Sequence, residues 1–233
     1  MKKTSLTAAL VLAAGLLQAA TVTYTNSAVM NNDVNTVINL TKFDSSLGTL
    51  TAVYVQYVVS IAGANVQMDN DSALAQNGTA RVQNLVNSFS SGASTLSTDY
   101  TTLSKGDFQI NASQVFRLSG TSGDTVGQFN ITGNSDYANW TPGTLQAIGA
   151  SDINSLVFSQ YTGSGTYAVS INPTFTTTAT FDGSDGYFQG NTPSGLFAGA
   201  VTYTYSPIPE PATASMSALV ILAAAWIRRR FID

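Results

Sequence analysis

The sequence predicts an all-β protein: an antiparallel β-sandwich, preceded by an N-terminal signal peptide and followed by a single C-terminal transmembrane helix. Three observations carry that reading. Period-two alternation recurs along the chain, most clearly in LTAVYVQYVVSI, residues 50–61, where Val53, Val55, Tyr57, Val59 and Ile61 share one face. Clusters of Gly, Asn, Asp and Ser punctuate such segments about every 8–15 residues. Strand-like segments do not alternate with helix-period ones, which argues against a parallel α/β sheet.

The first 20 residues read MKKTSLTAALVLAAGLLQAA. Lys2 and Lys3 are a basic start, residues 6–17 an apolar core, and Gln18-Ala19-Ala20 a small-residue exit. That order is a secretory signal peptide addressed to the Sec export machinery, with cleavage expected after Ala19 or Ala20. The chain has no cysteine, so neither lipid attachment through an N-terminal thiol nor a disulfide is available to it.

Residues 21–206 are one domain's worth of chain, long enough to bury a core without disulfides. Their basic residues, Lys42, Arg81, Lys105 and Arg117, face eleven aspartates, a net charge of −7 that the whole-chain value of −4 hides. An acidic surface disfavours nucleic acid and anionic lipid as partners. Polarity is carried mainly by Ser, Thr, Asn and Gln, which predicts a surface solvated by hydroxyls and amides.

Beside residues 50–61, two further strands are well patterned. In residues 166–181, Tyr167, Val169, Ile171, Phe175, Ala179 and Phe181 share a parity, and Pro173 predicts a bulge or two consecutive edge segments. In residues 197–205, Phe197, Val201, Tyr203 and Tyr205 point one way. Weaker strand signals cover residues 21–25, 36–40, 80–89, 108–118, 126–131 and 156–159. Residues 90–105 read as a long loop, and residues 134–150, with Trp140, Pro142 and Gly143, as a turn with a short helix.

The absent residue types narrow the chemistry. Without histidine there is no Ser-His-Asp triad, no histidine base and no histidine-bound metal. Without cysteine there is no thiol catalysis, and the lone glutamate, Glu210, lies outside the domain. The expectation is a non-enzymatic protein without cofactors. Asp182 and Asp185, and Asp69 and Asp71, are weak calcium candidates, because Ca²⁺ takes carboxylate and carbonyl oxygens. Turns use aspartate in the same spacing for local backbone hydrogen bonds, which is the competing role. Trp140, Tyr137 and Tyr161 fall in expected loops, where aromatic rings either stack on sugars or cap the core; Tyr187 is placed likewise.

Residues 207–233 have three parts in fixed order. The Pro-rich segment holds Pro209, Glu210 and Pro211, residues 212–227 are uncharged and mostly apolar, and Arg228, Arg229 and Arg230 follow. The prolines forbid a strand or helix interior. The 16-residue apolar run is short of the ~20 that span a bilayer comfortably but can span a thinned one. The arginines place the C-terminus on the cytoplasmic side.

This tripeptide, apolar segment and arginine cluster resemble the PEP-CTERM sorting signal of bacterial exported proteins. The run lacks the glycines common in that family, and Phe231-Ile232-Asp233 trails the arginines. The resemblance implies an exosortase-type membrane enzyme as processing partner, an inner-membrane intermediate, and delivery to the cell surface or an exopolysaccharide matrix. FDSSLGTLTAVYV (43–55), GSGTYAVSINPTFTTTATFDG (163–183) and AGAVTYTY (198–205) are in turn similar to the ends of choice-of-anchor E domains. That likeness implies architecture and location, not a reaction. The functional expectation is an exported envelope or extracellular-matrix protein, exopolysaccharide-associated, with a carbohydrate-binding module of the matrix as the alternative.

Overall fold

Alternating apolar residues make this chain an all-β protein of antiparallel sheets. A computed structural model describes residues 18–91, 103–120, 135–183 and 185–208. Its strands, in chain order, are β1 (Ala20–Met30), β2 (Thr36–Thr41), β3 (Gly48–Ala62), β4 (Val66–Asn70), β5 (Gln76–Ser91), β6 (Ile110–Leu118), β7 (Tyr137–Trp140), β8 (Leu145–Asp152), β9 (Thr166–Phe181), β10 (Gly186–Gly190) and β11 (Ser194–Pro207). One four-stranded sheet has the order β1-β11-β3-β8, a second the order β2-β9-β5-β6, and a third, of three strands, the order β10-β4-β7. The expected strand at residues 126–131 and the expected signal peptide, sorting motif and transmembrane helix lie outside the described residues, apart from the signal peptide's last three.

The two larger sheets turn their apolar faces to each other. Val53, Val55, Tyr57, Val59 and Ile61 of β3 are buried, as the alternation requires, and so are Phe197, Val201 and Tyr203 of β11. Ala80, Val82 and Val86 of β5 and Tyr167, Val169 and Ile171 of β9 line the opposing face. Contacts cross the gap: the Tyr57 hydroxyl is 2.8 Å from the Ser91 hydroxyl, and the Tyr203 hydroxyl donates to the Thr41 carbonyl at 2.9 Å. Tyr57 stacks edge-on to Phe89 and Phe108, at 5.7 and 6.4 Å between ring centroids. Each such ring, fully buried, is worth roughly 2–3 kcal/mol in area removed from water.

The small sheet continues the first one past a bend. Its order, β10-β4-β7, repeats that of the strands each runs into or out of, β11-β3-β8. Short breaks separate the pairs at residues 63–65, 141–144 and 191–193, all rich in Gly, Pro, Asn or Thr. Gly63, at φ +74°, takes a conformation that side chains disfavour. Asparagines then clamp the bend. Asn65 donates its backbone N–H to Asn191 Oδ1 at 2.6 Å, and Asn191 Nδ2 donates to the Gly63 carbonyl at 2.8 Å. Asn65 Nδ2 also donates to Asn139 Oδ1 and Thr141 Oγ1, at 2.8 and 3.0 Å. Beyond the bend, Val66 and Met68 are fully buried, and Met68 packs over Gly78 of β5.

Two expectations are corrected and a third is narrowed. Of residues 134–150, the described 135–150 hold a turn but no helix: β7 and β8 follow it, with the bend between them. Residues 156–159 are not a strand: a 3₁₀ turn (Ser155–Val157) and one helical turn, α1 (Phe158–Tyr161), cross from β8 toward β9. Residues 166–181 are one continuous strand inside its sheet, so of the two alternatives at Pro173 the bulge holds and the split into two edge segments does not. The Pro173 carbonyl accepts from the Asp33 N–H, so its missing donor also faces the side where β2 has already ended, at Thr36↔Ile171. The bulge's extra residue lies on the partner strand: the register jumps from Val86↔Pro173 to Ser88↔Asn172, leaving Asn87 as a bulge in β5.

Candidate functional site

The topology gives the domain two unlike ends. At one, β1 begins and β11 finishes side by side, with Ala20 opposite Tyr205. The β2–β3 and β8–β9 connections and the last residues of β5 lie at this end too. The opposite end holds the bend and the small sheet. The chain therefore enters and leaves the domain at one place.

That exit is tightly built. Pro207 still pairs with Gly48 of β3, and the Ile208 N–H donates to the Leu47 carbonyl at 3.3 Å. Gly48 has φ +153°, and a Cβ there would stand 2.1 Å from the Ser206 carbonyl oxygen, so β11 closes on it with no room for a side chain. Before Gly48, Asp44 caps a 3₁₀ turn (Ser45–Leu47) by accepting from the Ser46 N–H at 2.8 Å. That backbone bond, aided by the Ser46 hydroxyl, holds the Asp44 carboxyl below its ordinary range. The strand thus reaches Pro207, and one further backbone bond ties Ile208, the residue before Pro209. Pro209, Glu210, Pro211, Arg228, Arg229 and Arg230 lie outside the described residues.

The aromatic candidates do not come together. Tyr161 is 1% exposed, packed against Tyr167 at 5.0 Å between ring centroids, and belongs to the core at the terminus-bearing end. Burial raises the titration of both hydroxyls. Trp140 and Tyr137 lie at the far end, three residues apart on β7 and so on opposite faces. Trp140 opposite Val66 packs against the core. Tyr137 opposite Asp69 points outward, and on the other side of Asp69 stands Tyr187 of β10. Burial, then the Asp69 charge, raises the Tyr137 hydroxyl's pKa. Tyr187 is a strand residue, not a loop one.

The acidic candidates are built into structure. Both oxygens of Asp182 accept from Asn77, one from its backbone N–H and one from Nδ2, each at 2.7 Å. Asp185 has φ +65° just before β10, and Asp69 is fully buried. In the Asp69-Asn70-Asp71 triplet the organising residue is Asn70. Its Nδ2 donates to the carbonyls of Leu74 and Ser119, at 2.9 and 2.6 Å. Its Oδ1 accepts from the Ser72 N–H at 2.9 Å and from Gln76 Nε2. Among the described residues no three His, Cys, Asp or Glu side chains converge as a metal site.

A feature outside the sequence-based candidates lies on the outer face of the first sheet. A shallow trough of about 490 Å³ has Ala198, Gly199 and Ala200 of β11 along its floor, Thr25 and Ser27 of β1 on one side, and Gln56 and Val58 of β3 on the other. Tyr54, half exposed and two residues from Gln56, stands on the same face. The hydroxyls of Thr25 and Ser27, the amides of Asn26 and Gln56, apolar Val58 and the alanines, with the Tyr54 ring beside them, make it an uncharged surface with hydrogen-bonding groups. The signal for it was the mixed outer parity of residues 50–61, which does not read as an apolar stripe. The chain matches no family model, no curated protein and no solved structure.

Proposed function

We propose that the chain is a non-enzymatic exported envelope or extracellular-matrix protein: an antiparallel β-sandwich ectodomain, residues 21–206, held between a signal peptide and a C-terminal sorting segment. The observation that supports it best is the direct handover from β11 to the Pro-rich motif, with Ile208 alone between Pro207 and Pro209. On this reading the tail holds the exported domain at the inner membrane, with Arg228, Arg229 and Arg230 inside. The motif around Glu210 is then presented at the base of a folded body. In line with the resemblance to PEP-CTERM signals and choice-of-anchor E domains, an exosortase-type enzyme cuts there and passes the domain to the surface or the exopolysaccharide matrix. Replacing Pro209, Glu210 and Pro211 together by alanine is expected to leave the protein in the inner-membrane fraction. Unchanged surface delivery refutes the proposal.

A second reading, a carbohydrate-binding module, is favoured by the trough beside Tyr54. Aromatic stacking with amide and hydroxyl partners suits a neutral saccharide. Calorimetric titration of the purified protein with matrix polysaccharide tests it. Heat of binding lost in Tyr54→Ala and Gln56→Ala supports this reading; no heat in the parent protein removes it.

A further inference from the structure

Three large apolar side chains are exposed at the end where both termini leave: Leu47 at 38%, Leu156 at 82% and Ile208 at 60%. Leu47 and Ile208 are tied through their backbones. Leu156 sits in the β8–β9 connection that closes the same end. None of the three belongs to the core cluster.

We infer that this end of the domain is a membrane-contact surface, with Leu47, Leu156 and Ile208 lying in the headgroup layer of the bilayer that receives residues 212–227. The inference rests on the proposed reading that those residues span a membrane. Chain length then sets the distance. Four residue steps separate Ile208 from Ala212, at most about 14 Å when fully extended. The interfacial layer on each side of the hydrocarbon is itself roughly 5–7 Å thick. A helix of 16 residues spans about 24 Å against a hydrocarbon core of about 30 Å. That deficit draws the flanking residues inward or thins the bilayer, and both outcomes bring Ile208 closer to lipid.

Charge points the same way. Among the described residues the far half carries Asp33, Asp69, Asp71, Asp136, Asp182 and Asp185 against Arg81 and Arg117. The terminus-bearing end carries Asp44, Asp107 and Asp152 against Lys42 and Lys105, which leaves it nearly neutral among the described residues. A nearly neutral, apolar-tipped face suits a zwitterionic surface, and the acidic pole is directed away from it.

The test is spectroscopic. The chain has no cysteine, so Leu47→Cys, Leu156→Cys and Ile208→Cys each accept one spin label, with Leu74→Cys, at a site 77% exposed at the far end, as reference. The full chain is reconstituted in phosphatidylcholine vesicles doped with a nickel-chelating headgroup lipid. The three labels are expected to relax several-fold faster in the presence of nickel lipid, and the Leu74 label to stay unaffected. Labels at 47 and 156 as insensitive as the reference, in protein that resists carbonate extraction, overturn the inference while leaving the membrane reading intact. Extraction by carbonate overturns both. Dipolar coupling between labels on neighbouring chains, without lipid relaxation, assigns the face to self-association and also overturns it.

Discussion

Replacing Asn70 by alanine tests the account of the far end most directly. The side chain is fully buried and makes four hydrogen bonds, two given and two received. They join the end of β4, the turn at residues 71–75, the start of β5 and the residue after β6. Alanine leaves the Leu74 and Ser119 carbonyls, the Ser72 N–H and the Gln76 amide without that partner. With about 1 kcal/mol per net bond, and more where a partner stays buried and unsatisfied, the loss is about 4 kcal/mol. For a domain of this size that corresponds to a fall of about 8–16 °C in Tm. Urea denaturation followed by far-UV circular dichroism reads it as a lower midpoint at unchanged slope. Asn70→Asp is expected to be no milder, because it sets a carboxylate oxygen against two carbonyls. Neither the parent nor the variants are expected to gain stability from millimolar calcium. A loss below about 1 kcal/mol in Asn70→Ala refutes the hub, and a calcium-dependent rescue in Asn70→Asp assigns the triplet to cation binding instead.

Three further outcomes follow from the same geometry. Burial raises the titration of Tyr57, Tyr161, Tyr167 and Tyr203. Their contribution is whole below the unfolded value near 10 and is lost as pH rises above it, at about 1.4 kcal/mol per pH unit for each. Tyrosinate absorbance at 295 nm for these four should therefore appear together with loss of circular dichroism; full ionisation of a still-folded domain contradicts this. Asn191→Ala removes two bonds of the bend clamp, costs about 1–2 kcal/mol, and should speed hydrogen exchange in β4 and β10 while sparing β5; uniform protection across these strands counts against a clamp. Asp44, whose pKa is lowered, supports its turn above the unfolded carboxylate value and loses that support as pH falls through the folded one. The Ser46 amide shift should titrate with a midpoint below 3.8, and a midpoint above that value removes the cap from the account.

The sequence made the central strands legible because their inner faces are unbroken at period two. β3, β9 and β11 were read from Val53 to Ile61, Tyr167 to Phe181 and Phe197 to Tyr205, and the core uses those residues, with Ala179, Phe181 and Tyr205 partly buried at its margin. What escaped was the small sheet. β4 and β10 have five residues each and β7 four, too few for alternation to show. Their punctuation, at Gly63, Pro142 and Pro193, reads as the end of a strand when it is the bend of one. Of the two roles open to the aromatic candidates, Tyr161 and Trp140 take the one of packing on the core. A tyrosine in a connection was read as a loop residue, yet one helical turn delivers Tyr161 to the core. The exposed ring beside the trough, Tyr54, sits in the best-patterned strand, where a sequence reading looks for the core rather than for a surface.

The bend and the exit together give the C-terminal strand a particular place. β11 lies inside its sheet, paired with β1 over residues 195–205 and with β3 over residues 194–207. An edge strand could be peeled from the sheet one pair at a time by a pull on the tail. A pull on Ile208 acts along β11 and loads two ladders at once, so detachment needs many hydrogen bonds to shear together. Gly48, tight against the Ser206 carbonyl, keeps the last turn of that grip closed. A tail attached there can hold the domain at a surface without unravelling it. The breaks in β10–β11, β3–β4 and β7–β8 fall at one level, so the small sheet and its acidic residues lie at the end of the domain remote from the exit of β11.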